Sequence, residues 1–162
     1  MDLQPQFQEF LSNIEPTQAQ RDEFMRGHRT LRARLDADES LKPRIITHFL
    51  QGSYKRSTAI RPRGGKKSDV DVVVVTNLAS AAYDPHTAMN LFVPFLSRHY
   101  PGKWEFNGRS IGITLSYVEL DLVLTRGHPE NGHGRSCDEV KYLRDAADRC
   151  ALGAARAPLY LT

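Results

Sequence analysis

The run Gln51-Gly52-Ser53-Tyr54, the basic connection Lys55-Arg56-Ser57-Thr58-Ala59-Ile60-Arg61-Pro62, and then Ser68-Asp69-Val70-Asp71-Val72-Val73-Val74-Val75 decide how this chain is read. Side chains two apart on a strand point to one face, so Asp69 and Asp71 stand side by side where the valine run begins. Paired carboxylates suit a hard divalent cation such as Mg²⁺, which keeps some of its waters and is commonly shared between protein carboxylates and substrate phosphates. The same pair also fits a polar loop ahead of a buried strand. The turn upstream favours the metal reading, because Gly52 and Ser53 offer backbone N–H groups and a hydroxyl to phosphate oxygens.

A third carboxylate lies downstream. The segment from Ser110 to Leu124 is rich in β-branched and aromatic residues and is expected to form one long strand. On it Tyr117, Glu119, Asp121 and Val123 share a face, while Ser116, Val118, Leu120, Leu122 and Leu124 share the other. An Asp between Leu120 and Leu122 is costly to bury without a metal or hydrogen bonds, and otherwise belongs at a solvated strand edge.

A Gly-Ser turn, an Asp-x-Asp strand start and a later strand Asp resemble the signature of the polymerase-β-like nucleotidyltransferase superfamily. Within it, the segment Gln51 to Val74, with its Thr58-x-x-Arg61-Pro62 element, resembles the bacterial CD-NTases, the cGAS/DncV-like or SMODS-type nucleotidyltransferases. The resemblance runs from about Asp2 through Leu124, that family's catalytic half. It implies an α+β fold, a small mixed sheet backed by helices with the carboxylates at one edge. It implies Asp69, Asp71 and Asp121 as catalytic residues holding two Mg²⁺ ions, which Mn²⁺ can replace. Gln51, Gly52, Ser53, Lys55, Arg56, Thr58 and Arg61 would bind nucleotide and phosphate. The implied reaction joins nucleoside triphosphates, ATP foremost, into a cyclic di- or trinucleotide containing adenine and releases pyrophosphate. The implied setting is antiphage signalling, with a downstream nucleotide-activated effector and a regulatory partner or activator.

Lys55, Arg56, Arg61, Arg63, Lys66 and Lys67 crowd the connection between turn and carboxylates. Each alone suits a solvated loop, and together they attract polyphosphate. Gly64-Gly65-Lys66-Lys67-Ser68 is not a P-loop. Ile60 stands where its first Gly belongs, Lys67 replaces Ser or Thr, and the segment precedes a strand instead of following one.

The 162 residues, 40% hydrophobic and 25% charged, suit one globular domain with room for a core. A net charge of +3 permits nucleotide or nucleic-acid partners without demanding them. No apolar run approaches the roughly 18 residues of a membrane span, and the N-terminus lacks a signal pattern, so no membrane partner and a cytoplasmic location are expected. Cys137 and Cys150, placed in one helix, suit a reducing compartment.

Phe7, Phe10, Leu11 and Ile14 recur at helical spacing and are expected to reach the core. Thr17 and Gln20 predict a capping box for a helix carrying Phe24, Leu31 and Leu35 inward. Ile45 to Leu50 is a short apolar piece, and Val70 to Thr76 is expected as the first strong strand. A helix capped by Asp84, with Pro85 in its first turn, would carry Met89, Phe92, Phe95 and Leu96 and kink at Pro94. Trp104 to Phe106 forms a strand and Asn107-Gly108 a turn.

The expected catalytic core is 1–124, and 125–162 is a short, atypical end. There the family continues into a long helical half, whereas this chain offers one helix, capped by Ser136 and Glu139 and running to about Ala151. His128, His133 and Cys137 match no standard zinc spacing. Two other readings therefore stand beside the cyclic-nucleotide synthase: a minimal nucleotidyltransferase that modifies a protein or small molecule, and a truncated fragment that binds nucleotide without turnover.

Overall fold

The computed structural model describes residues 3–78 and 84–127. The expectations placed on 128–162, a helix after Ser136, its two cysteines and the His128, His133 and Cys137 group, lie outside the described residues.

Helix α1 (Gln4–Ile14) leads to α2 (Gln18–Ala37). The capping box at α2 forms as expected: Gln20 N–H donates to Thr17 Oγ1 at 3.3 Å, and Thr17 N–H donates to Gln20 Oε1 at 2.9 Å. Phe24, Gly27, His28, Leu31 and Leu35 then recur on the buried face. Helix α1 departs from expectation. It buries no residue, and Phe7 and Phe10 are 56% and 55% exposed. Periodicity makes the helix amphipathic, but only Leu11 and Ile14 on its apolar face are half-buried, while Phe7 and Phe10 stay exposed.

A 3-10 turn (Lys42–Arg44) opens β1 (Ile45–Gln51), followed by the one-turn helix α3 (Gly52–Lys55) and β2 (Asp69–Thr76). The first strand of the sheet is thus β1 and not the valine run. Asp84 caps α4 (Pro85–Asn90), accepting from the N–H groups of His86 and Thr87. The expected continuous helix stops at Asn90, and α5 (Val93–His99) starts anew. Pro94 explains the break: it has no N–H to give the Asn90 carbonyl, and its ring crowds that carbonyl.

Strand β3 (Trp104–Asn107) turns at Asn107-Gly108 into β4 (Ser110–Thr114), and β5 (Glu119–Arg126) follows. The expected single strand over 110–124 is therefore two antiparallel strands, joined by a turn in which Leu115 N–H donates to Val118 O at 2.9 Å. The reversal has a large consequence, because it makes β5 parallel to β2.

The five strands lie in the order β1-β2-β5-β4-β3, with β2–β5 the parallel pair. Val70, Val72, Val74, Ile111, Ile113, Leu120 and Leu122 point to one face and form a buried core with Phe24, Leu31 and Leu35 of α2 and Met89, Phe92, Phe95 and Leu96 of the α4–α5 pair. This is a mixed α+β fold with helices packed on one face of the sheet, and the alternating residues fall on the other. Among the described residues no helix is long and apolar enough to cross a membrane.

Candidate active site

The register of the sheet builds a polar row across its second face. Gln51 pairs with Asp71, Asp71 with Asp121, Asp121 with Gly112, and Gly112 with Glu105. Directly opposed residues share a face, so these five positions line up across all five strands. One rung away Asp69 pairs with Glu119. Asp69 and Glu119 are exposed, Asp71 and Asp121 half-buried, and the interleaved Val70 and Leu120 fully buried. The carboxylates lie at the N-terminal ends of the parallel inner strands β2 and β5 and not at a lateral edge of the sheet. The sequence puts Glu119 on the face of Asp121 without giving it a role, and only the parallel register reveals that it stands opposite Asp69.

Gly52 follows β1 directly and adopts φ +76°, a left-handed conformation that glycine enters without a steric penalty. The second reason for glycine is space: a Cβ there would lie 1.7 Å from Asp71 Oδ2. The Asp71 carboxylate thus rests on bare backbone. Ser53 follows, and its carbonyl accepts from Thr58 N–H at 2.9 Å and Thr58 Oγ1 at 3.4 Å. With Ser57 N–H donating to Tyr54 O, and Ser57 itself at φ 57°, α3 closes in a Schellman arrangement that uses serine where glycine is usual.

The rest of the Thr58-x-x-Arg61-Pro62 element ties α1 down. Arg61 N–H donates to Ile14 O, its Nε to Glu15 O at 3.0 Å and its Nη2 to Ser12 O at 2.9 Å. The guanidinium therefore satisfies carbonyls that the end of α1 leaves open. An open cleft of ≈ 600 Å³ lies between α1 and the basic connection. Its walls combine Phe10, Ile14 and Ile60 with Ser53, Thr58, Arg61, Arg63, Lys66, Lys67 and Asp69. Lys55 and Arg56 are exposed and do not line it. Gly64 and Gly65, both at positive φ, turn the connection back towards β2.

Asp121 has a partner of its own. Ser110 Oγ donates to Asp121 Oδ1 at 3.3 Å, a contact that becomes visible once β4 and β5 are known to pair. Among the described residues no three His, Cys, Asp or Glu side chains converge closely enough to grip a metal ion. The donor set is nonetheless all carboxylate oxygen, which suits Mg²⁺ or Mn²⁺ over zinc, and the backbone brings three strand carboxylates to one face beside a glycine that leaves room for one of them.

Residues 1–125 match the family described as the Second Messenger Oligonucleotide or Dinucleotide Synthetase (SMODS) domain. The chain is 58% identical over 146 residues to a cyclic AMP-AMP-GMP synthase of Enterobacter hormaechei subsp. hoffmannii, covering 90% of this chain and 38% of that protein. It is 54% identical over 146 residues to a probable cyclic AMP-AMP-GMP nucleotide synthase of Salmonella paratyphi B, with the same coverage of 90% and 38%. The chain thus spans about two fifths of the length of these relatives. Among solved structures, the CD-NTase CdnG of Bradyrhizobium diazoefficiens in complex with GTP shares the fold at a TM-score of 0.61 and 19% identity, over 73% of this chain and 35% of that one.

Proposed function

The chain belongs to the Second Messenger Oligonucleotide or Dinucleotide Synthetase family, and on that premise we propose that it is the catalytic half of a nucleotidyltransferase that joins nucleoside triphosphates into a cyclic oligonucleotide. The observation that carries the reading is the pairing of Asp71 with Asp121 across β2 and β5, beside the Gly52 turn that accommodates the Asp71 carboxylate.

In the proposed reaction a ribose hydroxyl oxygen forms a bond to the α-phosphorus of a bound triphosphate, and the bond from that phosphorus to the bridging oxygen breaks, releasing pyrophosphate. Asp121 accepts the hydroxyl proton. The Gly52-Ser53 turn holds the triphosphate, with Gln51, Lys55, Arg56 and Thr58 around it, and Arg61 contributes by fastening the end of α1 to this connection. The cleft basic residues Arg63, Lys66 and Lys67 raise the local concentration of polyphosphate. Divalent ions are general among CD-NTases. Two Mg²⁺ ions, or Mn²⁺ in their place, held by Asp69, Asp71 and Asp121, would supply charge neutralisation at the phosphate. The protein's own contribution is positioning, which carries most of the barrier reduction in phosphoryl-type transfer.

The names of the two relatives support an adenine-containing cyclic trinucleotide assembled from ATP and GTP. A cytoplasmic signalling role in antiphage defence, under a regulatory partner and upstream of a nucleotide-activated effector, completes the proposal.

The test is to incubate the chain with α-labelled ATP, GTP, CTP and UTP and Mg²⁺, beside an Asp69→Ala/Asp71→Ala control, then treat with phosphatase and separate the products. A phosphatase-resistant nucleotide absent from the control is the expected result. A labelled protein band without a cyclic product would replace the proposal with a protein-modifying transferase. No product from the folded chain would refute the claim that this half is competent by itself.

A further inference from the structure

The third carboxylate is held from the neighbouring strand β4. Asp121 sits between Leu120 and Leu122, both fully buried, so its half-buried carboxylate has few ways to be satisfied. Strand β4 supplies one. Gly112 lies directly opposite Asp121, and Ser110 two residues earlier reaches along the same face to donate its hydroxyl to Asp121 Oδ1. At 3.3 Å the bond is long for O–H···O⁻, as hydrogen bonds in ligand-free catalytic sites commonly are before a complex tightens them.

Gly112 makes the reach possible. A Cβ there would come 2.5 Å from Asn107 Nδ2 and 3.8 Å from Asp121 Oδ1. The space over Gly112, opposite Asp121, is therefore already taken by the Asn107 amide at the end of β3. Ser110 thus engages one oxygen of the carboxylate, beside a Gly112 whose missing side chain leaves that oxygen accessible from β4. Ser110 engages Oδ1 from β4, while Asp71 stands opposite Asp121 on β2, on the other side of β5.

We propose that Ser110 is a positioning residue for Asp121, fixing the carboxylate so that it presents one oxygen to the metal and the reacting hydroxyl. The inference rests on the reading of Asp69, Asp71 and Asp121 as the reaction centre. Outer partners of ligating carboxylates orient them, and losing one typically weakens metal binding by about 10- to 100-fold.

The experiment is Mn²⁺ binding, read from the free-ion paramagnetic resonance signal, to the 162-residue chain and to Ser110→Ala, Ser110→Thr and Asp121→Ala, with metal-free thermal melts of each. Ser110→Ala is expected to weaken binding about tenfold, with no more than a small fall in the metal-free melt from the lost hydrogen bond, which Ser110→Thr restores. Ser110→Thr, which keeps the hydroxyl, is expected to bind like the parent. If Ser110→Ala binds like the parent while Asp121→Ala is impaired, Ser110 has no positioning role and the carboxylate site survives. If Asp121→Ala also binds like the parent, the reaction-centre reading itself fails and takes the proposal with it. A fall in the metal-free melt of Ser110→Ala together with failure of Ser110→Thr to rescue would assign the serine to the hairpin's folding and overturn the proposal.

Discussion

Asp71 and Asp121 stand opposite one another at the same register of the parallel β2–β5 pair, which sets two like charges on neighbouring strands. Adjacent strands lie about 4.8 Å apart, and like charges directly opposed destabilise a sheet by a few tenths of a kcal/mol to about 1 kcal/mol. Asp121→Asn keeps an oxygen for Ser110 and removes one charge. It is expected to raise the metal-free melting temperature by about 2 °C, the scale that ~0.5 kcal/mol sets for a chain of this size, and to abolish stabilisation by millimolar Mg²⁺. Differential scanning fluorimetry with and without Mg²⁺ reads both effects, and a lower metal-free melt would show that the two charges do not oppose each other.

Gly52 and Gly102 offer a matched pair of substitutions. Both have positive φ, +76° and +66°, so alanine at either position incurs left-handed strain of about 1–2 kcal/mol. A Cβ at Gly102 meets nothing within 4 Å, whereas one at Gly52 meets the Asp71 carboxylate. Chemical denaturation is expected to give Gly52→Ala a larger loss than Gly102→Ala. Isothermal titration with a non-hydrolysable ATP analogue should show lost nucleotide affinity for Gly52→Ala alone. Equal losses in both measurements would mean that Asp71 simply swings aside.

Local sequence revealed β2 by its valine run, the α2 face by its spacing, and the Thr17 and Asp84 caps by their side chains, because each is settled within a few residues. The β4–β5 reversal was hidden because Leu115-Ser116-Tyr117-Val118 contains no Gly, Pro, Asn or Asp to mark it. Without that reversal the relation of Asp121 to Asp71 is a resemblance, and with it the relation becomes a register. Ser110 and Glu119 belong to the same category, being residues whose neighbours come from another strand. Phe7 and Phe10 illustrate the opposite limit, since an apolar stripe reports a face and not what covers it.

Acid sensitivity should trace to His28. It is 5% exposed, packs 5.5 Å from the Tyr54 ring and leaves Nδ1 without a hydrogen-bond partner. Burial first, then the charges of Arg32 and Arg29, lower its pKa to about 4 from 6.5. The unfolded chain therefore binds this proton before the folded one. Stability is fully present above about pH 6.5 and is lost as pH falls towards 4, with about 2 kcal/mol gone between pH 7 and 5. Urea unfolding at those two pH values should show this loss in the parent chain and a much smaller one in His28→Gln. An equal loss in both would place the sensitivity elsewhere.

Arg61 should govern α1 without governing the fold. Helix α1 buries no residue, yet Arg61 binds Ser12, Ile14 and Glu15 carbonyls at its end, and Phe10 and Ile14 line the cleft beside Arg61 itself. Two guanidinium hydrogen bonds to otherwise open carbonyls contribute about 1–3 kcal/mol to local order. Arg61→Ala is expected to speed amide hydrogen exchange across 4–14 by about tenfold or more, since each 1.4 kcal/mol of local stability is a factor of ten, while exchange in β2 and β5 stays unchanged. Arg61→Lys should not rescue it, because one ammonium lacks the planar fork that spans two carbonyls. If α1 exchanges at the parent rate in Arg61→Ala, the helix is held by its apolar stripe and the arginine is free for the phosphate role that the sequence suggests.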